Sequence, residues 1–234
     1  MSAGTTAPFT RETARCMGPY TLSEEPTGLY MTAVEFSDIP EMVRLLNINQ
    51  DVYNGSALFQ YPYLDTHARD RIQRAHDILT RTGINTHFAL RLSPTTSSPL
   101  IGWAHLHFEH YNPPQHLPPV HPETGRPLRV AEIGYWLSPE HTGRGYAAKM
   151  ARYLVHEIAF GEESNEGMGC DIVRAVSYVE NMASRKVAER AGMELELETR
   201  AIWIPKLQTM RNVCCYAVHK DPATKSIVKE NYDY

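Results

Sequence analysis

The run Glu132-Ile133-Gly134-Tyr135-Trp136-Leu137-Ser138-Pro139, continuing into Thr142-Gly143-Arg144-Gly145-Tyr146-Ala147-Ala148-Lys149, constrains the fold more than any other stretch. Its first half is rich in aromatic and β-branched residues and stops at Ser138-Pro139, the pattern of a strand. The residues after Gly145 place Ala147, Ala151, Leu154 and Ile158 on one helical face and turn Lys149, Arg152, His156 and Glu157 elsewhere. Between strand and helix, Gly143 and Gly145 allow a sharp turn that leaves amide N–H groups unpaired at a helix N-terminus. Unpaired donors and the positive end of the helix dipole together suit a pyrophosphate. The turn is therefore a candidate site for a phosphorylated cofactor.

Two nucleotide motifs fail here. A dinucleotide fingerprint needs a third glycine where Ala148 stands, and an acidic residue at the expected distance that the following strand lacks. No Gly-x-x-x-x-Gly-Lys-Ser/Thr run exists anywhere in the chain. What remains is Thr142-x-x-Gly145-x-Ala147. It resembles the Gln/Arg-x-x-Gly-x-Gly/Ala loop with which the GNAT superfamily of N-acetyltransferases binds the coenzyme A pyrophosphate, with Thr142 departing from the usual first residue. Downstream, Asp171 to Tyr178 has the composition of a buried strand. After it, Asn181 is placed as a helix N-cap, Ala183, Val187 and Ala191 repeat at helical spacing, and Gly192 stands as a C-cap. This second segment resembles the Asn-x-x-Ser-x-x-Val-x-Glu-x-x-Gly-Phe motif of the branch containing the ribosomal-protein N-terminal acetyltransferases, with Met193 in place of Phe. The resemblance runs from about Leu29 to His219 and is strongest from Glu132 to Met193.

The rest of the pattern is compatible with that fold. Leu29 to Phe36 reads as a strand, and Asp38 with Glu41 has capping-box spacing before a helix carrying Met42, Leu45 and Leu46. Residues 66–82 read as a second helix with Ile72, Ala75, Ile78 and Leu79 inward. His87–Leu92 and Leu100–His110 read as paired strands, and Glu194–Ile204 and Asn212–His219 as closing ones. The expected class is α+β, a GNAT-like mixed sheet of about seven strands with flanking helices and a splay at the acetyl-CoA site. Residues 1–27, rich in Thr, Pro, Ser and Glu, are expected to be a mobile arm, 28–220 the enzyme domain and 221–234 a tail. Tyr111 to Arg129, dense in Pro and His, reads as a long functional or mobile loop. With 234 residues, 42% of them hydrophobic, the chain can bury one good core. A formal charge of −4 argues against a general nucleic-acid or anionic-membrane binder. Cys16, Cys170, Cys214 and Cys215 show no metal or disulfide spacing, and no apolar run suggests a leader or a span, so a cytoplasmic location is expected, with nuclear access open.

The resemblance implies amine acylation from a thioester. It puts Trp136, Leu137, Ser138, Thr142, Gly143, Arg144, Gly145, Tyr146, Ala147, Asn181 and Ser184 in contact with acetyl-CoA, the strand at Trp136-Leu137 offering free backbone groups to the thioester. Many relatives protonate the leaving sulfur with a tyrosine on the second helix, but none lies between Asn181 and Gly192. Ser184 is then the candidate donor, or simply a first-turn serine. The branch's glutamate base falls, by count from Ser184, on Trp203. Glu132 on the central strand is the candidate replacement, since burial would raise its pKa, unless it serves only as an ion-pair partner. His105, His107 and Glu109 alternate on one strand and share a face. They read as an acceptor-site lining or a polar sheet face ahead of a metal set, and no metal is expected. Tyr61, Tyr63 and His67 fall where relatives build the acceptor wall. The acceptor is expected to be a primary amine, either a protein N-terminus or a small molecule such as a polyamine, amino acid or antibiotic. A non-catalytic acyl-CoA-binding module stays open as the alternative, and the chain is expected to be a monomer or homodimer.

Overall fold

The computed structural model describes residues 14–23, 28–108, 119–163 and 167–225. Its strands are β1 (Tyr20–Ser23), β2 (Leu29–Ala33), β3 (His87–Arg91), β4 (Leu100–Phe108), β5 (Val130–Leu137), β6 (Ile172–Tyr178), β7 (Glu194–Ile204) and β8 (Thr209–His219). The helices are α1 (Ile39–Leu46), α2 (Asp51–Gly55), α3 (Asp65–Thr82), α4 (Tyr146–Tyr153) and α5 (Met182–Arg190). The strands form one eight-stranded sheet in the order β1-β2-β3-β4-β5-β6-β8-β7. Every neighbouring pair is antiparallel except β5 with β6, which is parallel. Among the described residues no helix is long and apolar enough to cross a membrane.

Period-2 alternation sends the side chains of each strand to two cores. One core lies under α4 and α5 and takes Phe88, Ala104, Leu106, Ala131, Ile133, Met150 and Leu154. The other lies under α1 and α3 and takes Met42, Leu45, Ile72, Trp103 and Trp136. Adjacent β5 residues thus answer to opposite layers. Glu132, Gly134 and Trp136 look toward α1 and α3, and Tyr135 and Leu137 toward α4 and α5.

Three details differ from the sequence reading. The sheet has an eighth strand because Tyr20–Ser23, inside the segment expected to be a mobile arm, pairs with β2. Tyr20 packs on Tyr153 at 5.5 Å and Phe88 at 6.3 Å, and Cys16 is fully buried. Residues 1–13 and 24–27 of that arm, residues 226–234 of the tail, and residues 109–118, which hold Glu109 and the first part of the Pro- and His-rich loop, lie outside the described residues. Asp38 does not cap α1 with its side chain. Its carboxylate instead accepts from Glu35 N at 2.9 Å and from the buried Arg91 at 2.7 Å, a stronger partner than a helix amide. Lastly, the buried face of α4 is led by Tyr146 and Met150, while Ala147 is only half-buried.

Candidate functional site

The strands β5 and β6 part company within the sheet. Their parallel pairing covers only Val130 with Ile172, Ala131 with Val173, and Glu132 with Arg174, although β5 continues to Leu137 and β6 to Tyr178. Past Glu132 the edges that face each other carry backbone groups with no ladder partner across the gap. A cleft of about 1260 Å3 opens there, walled by the diverging ends of β5 and β6, the first turns of α4 and α5, residues 51–59 and β7.

At one end of the cleft stands the glycine turn. Gly143 and Gly145 have φ of +78° and +76°, the left-handed region, and a Cβ on either would meet nothing within 4 Å. The conformation, not crowding, requires glycine, and the space left beside the backbone is open. Gly145 caps α4, its carbonyl accepting from Lys149 N at 3.0 Å. The first amides of that helix have no carbonyl one turn back and are available to an anion. Thr142 also lines the cleft, its hydroxyl donating to Pro139 O at 3.0 Å.

Ser184, near the N-terminus of α5, faces the helix side of the gap. Its hydroxyl lies 3.1 Å from the Tyr135 hydroxyl, and Tyr135 also donates to Ser184 O at 3.1 Å. Burial pushes the Tyr135 phenol up to about 12, against the opposing effect of the Ser184 hydrogen bond. Sequence reasoning passed over Tyr135 because it sought a tyrosine on α5. Strand parity held the signal, since Tyr135 must point opposite to Glu132. Asn181 caps α5 as expected, accepting from Ser184 N at 3.1 Å, while its amide donates to Gly55 O at 3.1 Å.

On the other sheet face, Glu132 is half-buried and flanked in register by His107 of β4 and Arg174 of β6. His105 covers Gly134, where any Cβ would collide with the imidazole ring. It stacks on His87 at 5.4 Å, and His87 meets Trp103 edge-on at 5.6 Å. Burial, aided by Arg71 and His107, holds the His87 imidazole down to about 3. Burial first, then His87, Arg71 and His107, keeps His105 well below its ordinary value. Both rings are neutral at pH 7, and the unfolded chain takes up these protons below about pH 6.5 while the folded chain does not. Stability is therefore complete above that pH and should fall as pH drops towards 3, by about 1–2 kcal/mol from His87 at pH 5. Urea unfolding at pH 7 and pH 5 measures it. His87→Gln should shrink the difference, and an unchanged difference would refute this assignment.

The other expected residues divide cleanly. Trp136, Leu137, Tyr146, Ala147 and His105 line the cleft together with Glu132, Ser184 and the glycine turn. Ser138 and Arg144 are not on its wall. Ser138 is fully buried and caps the next turn through Glu140 N at 3.2 Å, and Arg144 is exposed. Tyr63, expected at the acceptor wall, is not on the cleft wall. It is buried in the second core against Phe59 at 5.8 Å. Tyr61 and His107 are exposed, and both lie off the cleft wall. Trp203 lines the cleft, as its count from Ser184 to the branch's base position implied, and unanticipated walls are Leu58 and the segment before it, with Ala201 and Ile202 of β7. Nothing local in their sequence places them beside β5. Among the described residues, no group of three or more His, Cys, Asp or Glu side chains could hold a metal ion.

Comparison with known proteins follows the same lines. No curated protein matches the sequence. Among solved structures, the ribosomal-protein-S5-alanine acetyltransferase from Vibrio fischeri superposes with a TM-score of 0.60 at 13% identity, covering 86% of this chain and 97% of that one. RimL, the ribosomal L7/L12 α-N-protein acetyltransferase solved with coenzyme A, gives 0.58 at 16%, covering 86% and 98%. The microcin C7 self-immunity acetyltransferase MccE, solved with acetyl-CoA and AMP, gives 0.57 at 16%, covering 85% and 94%. These likenesses establish a common fold. The acetyltransferase (GNAT) domain profile matches residues 29–194, the span from β2 to the start of β7, and the chain belongs to the GNAT acetyltransferase family.

Proposed function

We propose that this chain transfers the acetyl group of acetyl-CoA to a primary amine, carried by a protein N-terminus or a small molecule. The observation that carries the reading is the parting of β5 from β6 after Glu132 and Arg174, directly beside the glycine turn, so that one cleft joins an anion site to unpaired strand edges. The solved relatives bound to coenzyme A and acetyl-CoA support the cofactor. The amides at the start of α4 hold the pyrophosphate, and the free edges of β5 and β6 hold the thioester arm and polarise its carbonyl. The apolar faces of Ala147, Ala183 and Val187 exclude water along the way.

Opposite faces of β5 then carry opposite proton tasks. Glu132, on the α1–α3 face, takes the proton that the amine loses, directly or through a water. Ser184, on the α4–α5 face, donates to the departing sulfur, its hydroxyl oriented by Tyr135. Acid and base are thus separated by the strand itself, one on each side of the gap.

A mixed amine panel, with coenzyme A release and product mass as readouts, tests the reaction. On the best amine of that panel, Ser184→Ala should lower kcat about tenfold or more with KM for acetyl-CoA little changed. Glu132→Gln should lower kcat/KM far more near neutral pH than at high pH, where free amine is abundant. An undiminished kcat in Ser184→Ala, or an unaltered pH profile in Glu132→Gln, removes the corresponding role.

A further inference from the structure

The segment from Asp51 to Phe59, which crosses the cleft from the α1–α3 side, is unusually well fastened for a loop. Lys206, in the turn between β7 and β8, donates to Tyr53 O at 2.5 Å and Phe59 O at 2.9 Å, with its ammonium 3.9 Å over the Tyr53 ring. Asn181 holds Gly55 O between those two points, and a Cβ on Gly55 would come within 2.9 Å of the Asn181 amide. Ser56 Oγ accepts from Leu58 N at 3.1 Å and fixes the bend. The loop is thereby tied both to the end of β7 and to the N-terminus of α5.

That fastening holds two large apolar side chains open to solvent inside the concavity. Leu58 is 64% exposed and Trp203 is 53% exposed, and both line the cleft. Lone apolar residues on a convex surface are ordinary. Two lining one cleft, one of them an indole, form a recognition surface. Both stand on elements that Lys206 joins, so their spacing is set by its hydrogen bonds. Asp51 adds a carboxylate to the same wall.

Resting on the acetyl-transfer reading of the cleft, we propose that Leu58 and Trp203 form the acceptor subsite, and that the acceptor is a primary amine bearing an aromatic or branched aliphatic group next to its amino-bearing carbon. Lys206 is a positioning residue that holds the two walls together. The same chemistry occurs in a small arylalkylamine and in a peptide N-terminus with an apolar first residue, and the two arms of the test separate them.

The test uses the full chain saturated with coenzyme A for binding and with acetyl-CoA for turnover. One arm compares 2-phenylethylamine with ethanolamine, the other Phe-Gly-Gly with Ser-Gly-Gly. Binding is read from tryptophan fluorescence, because Trp103 and Trp136 are buried and Trp203 is the exposed indole. In at least one arm the apolar amine should shift the emission to the blue and show a kcat/KM about tenfold to a hundredfold above its polar partner. Trp203→Ala and Leu58→Asp, both at exposed positions, should each shrink that ratio to within a few-fold. Lys206→Met should raise KM for the apolar amine with kcat nearly unchanged and KM for the polar amine unmoved. Apolar amines that bind but are never acetylated would leave the subsite standing and overturn the transferase reading. Acetylation without discrimination in both arms, or discrimination that survives both wall variants, would overturn the subsite, as would failure of every apolar amine to bind.

Discussion

Gly145→Val should abolish the stabilisation of the protein by acetyl-CoA. A ligand at about a hundred times its dissociation constant stabilises the native state by about 2.7 kcal/mol. For a chain of this size that corresponds to a rise in Tm of about 5–10 °C. Gly145 holds φ at +76° where the turn becomes α4. A β-branched residue is strongly disfavoured in that left-handed region, and its methyl groups would enter the open space the phosphates need. The protein itself should survive the change, since a Cβ at this position meets no atom within 4 Å and the cost is local backbone strain, about 1–2 kcal/mol. NAD and ATP should give much smaller shifts with the native chain. A variant that still responds fully to acetyl-CoA would remove the glycine turn from the site.

Arg91→Met should cost about 3–5 kcal/mol of stability, the penalty typical of breaking a buried ion pair from one side. Arg91 is fully buried, and its guanidinium donates to Thr32 Oγ1 at 2.9 Å, Asp38 Oδ2 at 2.7 Å and Ser98 O. Those contacts fasten β2, the start of α1 and the β3–β4 loop to β3. Without the guanidinium, Asp38, 4% exposed, would keep a buried charge held by the Glu35 amide. Tm should fall by about 10 °C. The double variant Arg91→Met, Asp38→Leu should recover a substantial part, because both charges are then gone. A loss below about 1 kcal/mol in the single variant would contradict this account of the pair.

Both changes fall where local pattern was readable in different degrees. The glycine turn could be placed from sequence because its requirements are local: a strand that ends, two glycines, a helix that begins. The inner faces of α1 and α3 were largely legible for the same reason: Met42, Leu45, Ile72 and Ala75 are buried as their spacing demands, while Ile78 and Leu79 at the end of the α3 stripe are only half-buried. On α4 and α5 the same rule misplaced part of the apolar stripe. Ala147 and Ala183 face the cleft rather than the core, and Val187 packs on the core's edge while also lining the cleft. Periodicity reports that a face is apolar, and it does not distinguish packing against protein from packing against a ligand's arm. The strand β1 was hidden by its polar neighbours, since Tyr20 gains its partners from Phe88 and Tyr153, far along the chain.

Within the cleft, what could be read was the set of residues on β5 and the two helix starts. What could not be read was cross-strand complementarity. His105 fits because Gly134 lies opposite with no side chain, and that pairing exists only in the register of β4 with β5. Tyr63 carried the right residue type in the right region, yet the second core claims it. Leu58 and Trp203 meet one cleft only because Lys206 and Asn181 draw their elements together.

The most direct test of the central claim is a crystal structure of the protein with acetyl-CoA. The account predicts the pyrophosphate within hydrogen-bond reach of the amides from Gly143 to Ala147, the thioester between the parted ends of β5 and β6, and the sulfur on the Ser184 side of β5. Coenzyme bound elsewhere, or an acetyl group pointing away from the gap between β5 and β6, would contradict it.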